Sequence, residues 1–243
     1  MRSPKVEPES ISTCCVFAIK AAHETSNESV KPSNNREVNN KRLPTKLSGV
    51  IKIEDNFVPI NPPPSSGRKL IPGSSTKEKS SLLIDGQDID TLNQQQLAKF
   101  RNKNLGFVFQ FHQLLPEFSA IENICIPAYI GNTPKIVAEK KAKELLSFLN
   151  LSNRINHKPN ELSGGEQQRV AVARALINNP SMILADEPSG NLDTESAENL
   201  HHLFFKLRDE FGQTFVIVTH NNNLATMADR KLVMKDGIIL SSP

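Results

Sequence analysis

The sequence predicts an α/β protein built on a parallel sheet. Three observations carry that prediction. From about Ser80 onward, short apolar runs alternate with helical patterns. Two of the runs, Met182 to Ala185 and Phe215 to Val218, are apolar throughout, as strands covered on both faces require. Between them, Glu195 to Phe211 reads as a crossover helix stopped by Gly212.

The remaining elements follow in order. Leu82-Leu83-Ile84 runs into the turn pair Asp85-Gly86, and Leu105 to Phe109 is a further short apolar run. Ile136 to Leu149 sets Val137, Leu145, Leu146 and Leu149 on one helical face, with Glu139, Lys140 and Lys141 elsewhere. Glu166 to Asn178 is another helical pattern. Leu232 to Leu240 closes as a hairpin around Asp236-Gly237.

The chain has 243 residues with a formal charge of +3, enough length for one substantial domain with or without a tail. Near-neutrality argues against a surface that tracks nucleic-acid phosphates, so no nucleic-acid partner is expected. No stretch approaches the ~18 apolar residues of a membrane-spanning helix, so any membrane role is expected to run through a partner. Cys14, Cys15 and Cys125 form an odd set without metal spacing, which fits a reducing cytoplasm.

Composition divides the chain at residue 79. Residues 1–80 hold nine of the sixteen prolines and 13 basic against 8 acidic groups, whereas the rest carries 16 against 18. With few apolar runs to offset the entropy of ordering its backbone, segment 1–79 is expected to be disordered or poorly packed. Ile11 to Ile19 has the length of a secretory apolar region, but Glu7 and Glu9 precede it and no cleavage pattern follows.

Three apolar runs end in residues able to do chemistry. Phe107-Val108-Phe109 ends in Gln110, Ile183-Leu184-Ala185 in Asp186-Glu187, and Ile217-Val218-Thr219 in His220. Ligands of open parallel sheets bind outside the carboxyl ends of the strands, so these side chains are expected to converge. Each alone is explained as a surface amide, a turn or a hydrogen-bonded neighbour; their common placement is not. Of the two adjacent carboxylates, one suits the water shell of Mg²⁺, a hard cation, and the other suits a base that deprotonates a water attacking phosphorus. A fourth element is Leu162-Ser163-Gly164-Gly165-Glu166-Gln167-Gln168-Arg169. Ser163 and Glu166 form a capping box, which explains a helix start but not two glycines. Two missing β-carbons at the positive end of a helix dipole suit an anion.

Taken together, Leu162-Ser163-Gly164-Gly165-Glu166, Met182 to Pro188, Ser189-Gly190-Asn191-Leu192-Asp193 and Thr219-His220 resemble the nucleotide-binding subunit of ABC transporters in order and spacing. The likeness covers about Ser80 to Leu240. It implies a P-loop NTPase-like ABC ATPase core over 80–243 with a small helical subdomain at about 111–165. Gln110 to Phe118 and Ile121-Glu122-Asn123 look most like the lipoprotein-releasing branch of that family, with macrolide-export and cell-division branches similar.

The resemblance implies ATP and Mg²⁺ as cofactors. It makes Gln110 a Mg²⁺ contact that senses the membrane partner, and Asp186 the metal-binding carboxylate. Glu187 becomes the catalytic base and His220 the histidine at the γ-phosphate. Ser163, Gly164 and Gly165 become the signature that contacts nucleotide held on the opposite subunit, and Asp193 a residue of the dimer interface. The active unit implied is a head-to-tail homodimer joined to integral membrane transporter subunits, peripheral on the cytoplasmic face of a bacterial inner membrane. Residues 111–130 would receive a helix of the membrane subunit.

The chain departs from that family at one point. The phosphate-cradling string of glycine, four residues, glycine, lysine and serine or threonine occurs nowhere. Gly67-Arg68-Lys69-Leu70-Ile71-Pro72-Gly73-Ser74-Ser75 has a serine where the lysine belongs, and Pro72 removes a backbone donor. Residues 1–79 are thus expected to be a replacement or a shifted reading frame. The alternative to an ATPase is a non-hydrolysing interaction module unable to bind ATP. A DNA-repair ATPase is disfavoured because only about fifty residues separate Gln110 from Ser163, too few for a long coiled coil.

Overall fold

The computed structural model describes residues 14–19, 82–235 and 238–240. In chain order the strands are β1 (Cys14–Ile19), β2 (Leu83–Ile84), β3 (Gln87–Asp88), β4 (Leu105–Phe109), β5 (Met182–Asp186), β6 (Thr214–Thr219), β7 (Arg230–Lys235) and β8 (Ile238–Leu240). The helices are α1 (Gln94–Asn104), α2 (Ala120–Ile130), α3 (Lys135–Phe148), α4 (Gly164–Leu176), α5 (Thr194–Phe211) and α6 (Asn222–Met227).

Local chemistry accounts for most element ends. Asp85 (φ 55°) and Gly86 (φ 75°) both sit in the left-handed region, which closes β2 onto β3 in a two-residue turn. Reciprocal capping boxes start two helices, Asn93 with Gln96 at α1 and Ser163 with Glu166 at α4, while at α2 the Ser119 N–H and hydroxyl both donate to the Glu122 carboxylate. Asp193 caps α5, and Gly212 (φ 64°) ends it.

A six-stranded sheet runs in the order β4-β5-β6-β1-β7-β8. Strands β4, β5 and β6 are parallel neighbours, with Phe109 level with Asp186 and Asp186 level with Val218. Strand β1 lies between β6 and β7, antiparallel to both. Cys14–Ile19 therefore departs from the disorder expected of residues 1–79. The rest of that expectation, the Gly67–Ser75 stretch included, lies outside the described residues.

Helices α4 and α5 cover one sheet face. Val108, Ile183, Ala185, Phe215 and Ile217 meet Val172, Leu200, Phe204 and Leu207, and the Phe204 and Phe215 rings lie 4.9 Å apart. The other side of α4 packs through Val170 and Ala173 on Ile124 of α2 and on Ala138, Ala142 and Leu146 of α3. This corrects the reading of α3: the buried face is 138, 142 and 146, Val137 is exposed, and the Lys141 amine is turned inward to the Ile177 carbonyl and Asn179.

Apolar composition also overstated the cover on the second sheet face. Leu184, Val216 and Val218 are half-buried and Phe107 and Phe109 exposed, because Phe100 of α1 and Ile84 of the hairpin pack at the Met182 end. Where β4 meets α4 the approach is close: a β-carbon on Gly106 would fall 2.7 Å from the Ala175 carbonyl oxygen.

Candidate active site

The parallel strands β4, β5 and β6 end level with one another, so Gln110, Glu187 and His220 emerge along a single edge of the sheet. Glu187 follows β5 at φ 43°, a left-handed conformation that a residue with a side chain adopts at a cost of roughly 1–3 kcal/mol. Its surroundings over-determine it. The Glu187 N–H donates to the Val218 carbonyl at 2.8 Å and its carbonyl accepts from Gly190 N–H at 3.0 Å.

The Glu187 carboxylate is held just as fully. Oε2 accepts from the Thr219 hydroxyl at 2.9 Å, and Oε1 takes the His220 backbone N–H at 2.8 Å and its ring Nδ1 at 2.7 Å. These donors aim a largely covered carboxylate beside an imidazole whose side chain is 75% exposed. Gln110 meets the turn after Glu187: its Nε2 donates to Asn191 Oδ1 at 3.0 Å, and Asn191 Nδ2 donates back to the Gln110 carbonyl at 3.4 Å. A β-carbon on Gly190 would lie 2.8 Å from Gln110 Nε2, so a side chain there would push the Gln110 amide aside.

Asp186 lies beside this group, exposed at the end of β5. The Ser163 turn is not joined to it. Ser163 bonds Glu166, its hydroxyl accepting Glu166 N–H at 3.2 Å and its N–H donating to Glu166 Oε2 at 2.8 Å. That N–H, assisted by the Arg154 side chain, holds the Glu166 carboxyl below the usual carboxylate range. Gly165 also has a packing reason the sequence concealed: its β-carbon would sit 3.0 Å from Ser196 Oγ, so only Gly164 is left without one. Asp193 uses its carboxylate as a cap, accepting Ser196 N–H at 2.9 Å and the Ser196 hydroxyl at 2.8 Å, which lowers its pKa.

Several residues of the site carry roles that the motifs alone do not assign. Thr219 and Asn191 hold Glu187 and Gln110 directly. Gln168, fully buried on α4, donates to the carbonyls of Phe109 and Pro188. Buried His201 meets the Ser189 hydroxyl at 3.0 Å, and burial pulls its pKa down. A signal did exist for Gln168: 168, 172 and 175 share one face of a helix otherwise apolar there.

A cavity of about 600 Å³ opens on the Glu187 and His220 side of this edge, lined by Ser189, Glu198, His201 and Thr219 among others, with Gln110 and Asp186 outside its lining. The donor set fits the outer end of a magnesium-bound phosphate chain. Asp186 offers oxygen to a hard cation, Gln110 an amide, His220 an imidazole and Glu187 an aimed carboxylate. Among the described residues, no lysine or arginine lines the cavity.

The comparisons with known proteins agree with one another. The ABC transporter family model matches residues 65–190. The lipoprotein-releasing system ATP-binding protein LolD of Bacteroides thetaiotaomicron is 59% identical over 162 residues, which cover 67% of this chain and 74% of that one. LolD of Cytophaga hutchinsonii is 59% identical over 157 residues, covering 65% and 72%. Among solved structures, a dimer of the ATP-binding cassette MJ0796 in a post-hydrolysis state with ADP and Pi superposes with a TM-score of 0.58 at 39% identity, over 67% of this chain and 72% of that one.

Proposed function

Because this chain belongs to the ABC transporter family, we propose that it works as the ATP-hydrolysing subunit of a membrane complex of the lipoprotein-releasing type. By resemblance it is an ABC-type ATPase. The observation that carries the reading is the Glu187 carboxylate held by Thr219 and His220 at the strand edge it shares with Gln110.

Each residue then has a task. Glu187 takes a proton from the attacking water, its second oxygen kept in place by the Thr219 hydroxyl. His220 steadies that carboxylate and presents its exposed ring to the terminal phosphate. Asp186 and Gln110 would hold Mg²⁺, which supplies charge neutralisation on the phosphates when bound. Ser163, Gly164 and Gly165 would meet the phosphate of a second copy in a head-to-tail homodimer, with Asp193 at that interface. The named relatives belong to a lipoprotein-releasing system, which supports integral membrane subunits as partners and a peripheral position on the cytoplasmic face of the inner membrane. Among the described residues, no helix is long and apolar enough to cross a membrane.

One observation favours the second reading, an interaction module that does not bind ATP. Strand β1 is antiparallel to β6, so its N-terminal end lies at the active edge and the chain leaves Ile19 at the opposite edge. A loop directly following a strand in that direction would begin at the edge away from the site, and the sequence contains no phosphate-cradling string. The deciding measurement is phosphate release from purified protein with millimolar ATP and Mg²⁺, beside binding of a fluorescent ATP analogue. The ATPase reading expects binding, and turnover that Glu187→Gln lowers by roughly 10²-fold or more without abolishing binding. Absence of binding selects the module.

A further inference from the structure

Gln168 is 0% exposed, and every hydrogen-bonding group of its amide has a partner. Its Nε2 lies 3.1 Å from the Phe109 carbonyl and 2.7 Å from the Pro188 carbonyl. A primary amide nitrogen has two hydrogens, and here both go to carbonyls. That fixes which end of the amide is nitrogen and leaves Oε1 against the ring Nδ1 of His112. An amide oxygen only accepts, so His112 must carry a proton on Nδ1.

The two carbonyls hold the active edge. Phe109 immediately precedes Gln110, and Pro188 immediately follows Glu187. The His112 segment is tied to the same helix by its backbone as well: the guanidinium of Arg174 donates to the carbonyls of His112 and Gln113, and Gln113 takes a left-handed φ of 51°. Flanking this segment are the exposed side chains of Phe111 before it and of Leu115 and Phe118 after it.

We infer that His112 is a positioning residue: through the buried Gln168 amide, its Nδ1–H holds the Glu187–Asn191 turn, so movement of the segment around Phe111 is passed to the aim of Glu187. Removing that donor leaves Gln168 Oε1 buried and unpaired. The amide then turns toward another donor, and the Pro188 carbonyl loses its anchor. Assigning Glu187 as the base rests on the proposed ATPase function; the mechanical link from His112 to the turn does not.

The test uses the full chain without nucleotide. Nitrogen-15 NMR of the imidazoles reads the His112 tautomer, and hydrogen–deuterium exchange compares wild type with His112→Phe and His112→Asn. The Asn amide presents a donor near the Nδ1 position; Phe presents none. The expected result is an Nδ1-protonated ring in wild type. In H112F, exchange of the peptide spanning Glu187 to Leu192 rises about tenfold or more, H112N stays within about twofold, and β6 is unchanged in both. An Nε2-protonated ring, or equal exchange in wild type and H112F, overturns the proposal. If H112F does not fold, the tautomer still decides. Where turnover is measurable, H112F lowers kcat by about tenfold with KM within about twofold, and H112N restores it. Exchange as expected in a protein without turnover upholds the link and sinks the ATPase reading alone.

Discussion

His220 grips Glu187 twice through one oxygen: its backbone N–H reaches Oε1 at 2.8 Å and its ring Nδ1 at 2.7 Å. Since the backbone donor belongs to the residue just after β6, the aim of the carboxylate on β5 is set by where the neighbouring strand ends. The Thr219 hydroxyl, one residue earlier, fixes the other oxygen.

Thr219→Val tests that arrangement. The change keeps shape but removes the donor to Oε2 and the acceptor of Asn221 N–H at 3.1 Å. Stability is expected to fall by about 1–2 kcal/mol in urea titration. Turnover, if present, falls about 10- to 100-fold, less than removal of the base itself.

Gly106→Ala tests the close approach of β4 to α4. The new β-carbon would meet a backbone oxygen at 2.7 Å and Ile183 Cγ1 at 3.0 Å. Backbone cannot step aside as a side chain does, so a loss of about 2–3 kcal/mol is expected. The denaturation midpoint should drop with the slope unchanged.

Lys141 makes stability depend on alkaline pH. Burial pushes its amine down to about 8 from the ordinary 10.5, against an opposing pull from Glu144. Between those values the unfolded chain binds a proton that the folded chain does not, so stability rises with pH across that window. Below about 8 the burial penalty is fully present. Urea midpoints measured from pH 7.5 to 10.5 (about the span set by those two values) should climb in wild type more than in Lys141→Met.

Glu166 acts at the acid end. Its carboxyl is held low by Ser163 N–H and Arg154, so its contribution is present above the ordinary value of 4.5 and is lost as pH falls through the lower, folded value. Glu166→Gln keeps the capping geometry without the charge. The stability difference between wild type and this variant should shrink on acidification below about 4.5; a constant difference would refute the assignment.

Much of the active edge was legible because the features that build it are local. Runs ending in Gln110, Glu187 and His220 could be read residue by residue, and parallel strands of similar length bring their ends together. The caps at Ser163 and Asp193 are three-residue patterns. On α3 hydrophobicity alone points to Val137, which is exposed, whereas small Ala138 and Ala142 are what let the helix approach its neighbours. The second glycine of the Ser163 turn was assigned to an anion because its packing partner, Ser196, lies 31 positions further along the chain.

Periodicity and hydrogen bonds within a few positions of sequence are enough to show that β5 and β6 are apolar, that α3, α4 and α5 lie where they do, and which polar residues follow the strand ends; α1, α2 and α6 had no such signal read from them. Tertiary structure decided the rest. It ran Cys14–Ile19 against the direction of β6, left Phe107 and Phe109 uncovered, turned Lys141 inward, and joined His112 to the Glu187 turn through an amide 56 positions away. Those outcomes depend on which distant surfaces meet, and a buried donor or acceptor is satisfied by whatever partner the packing brings to it.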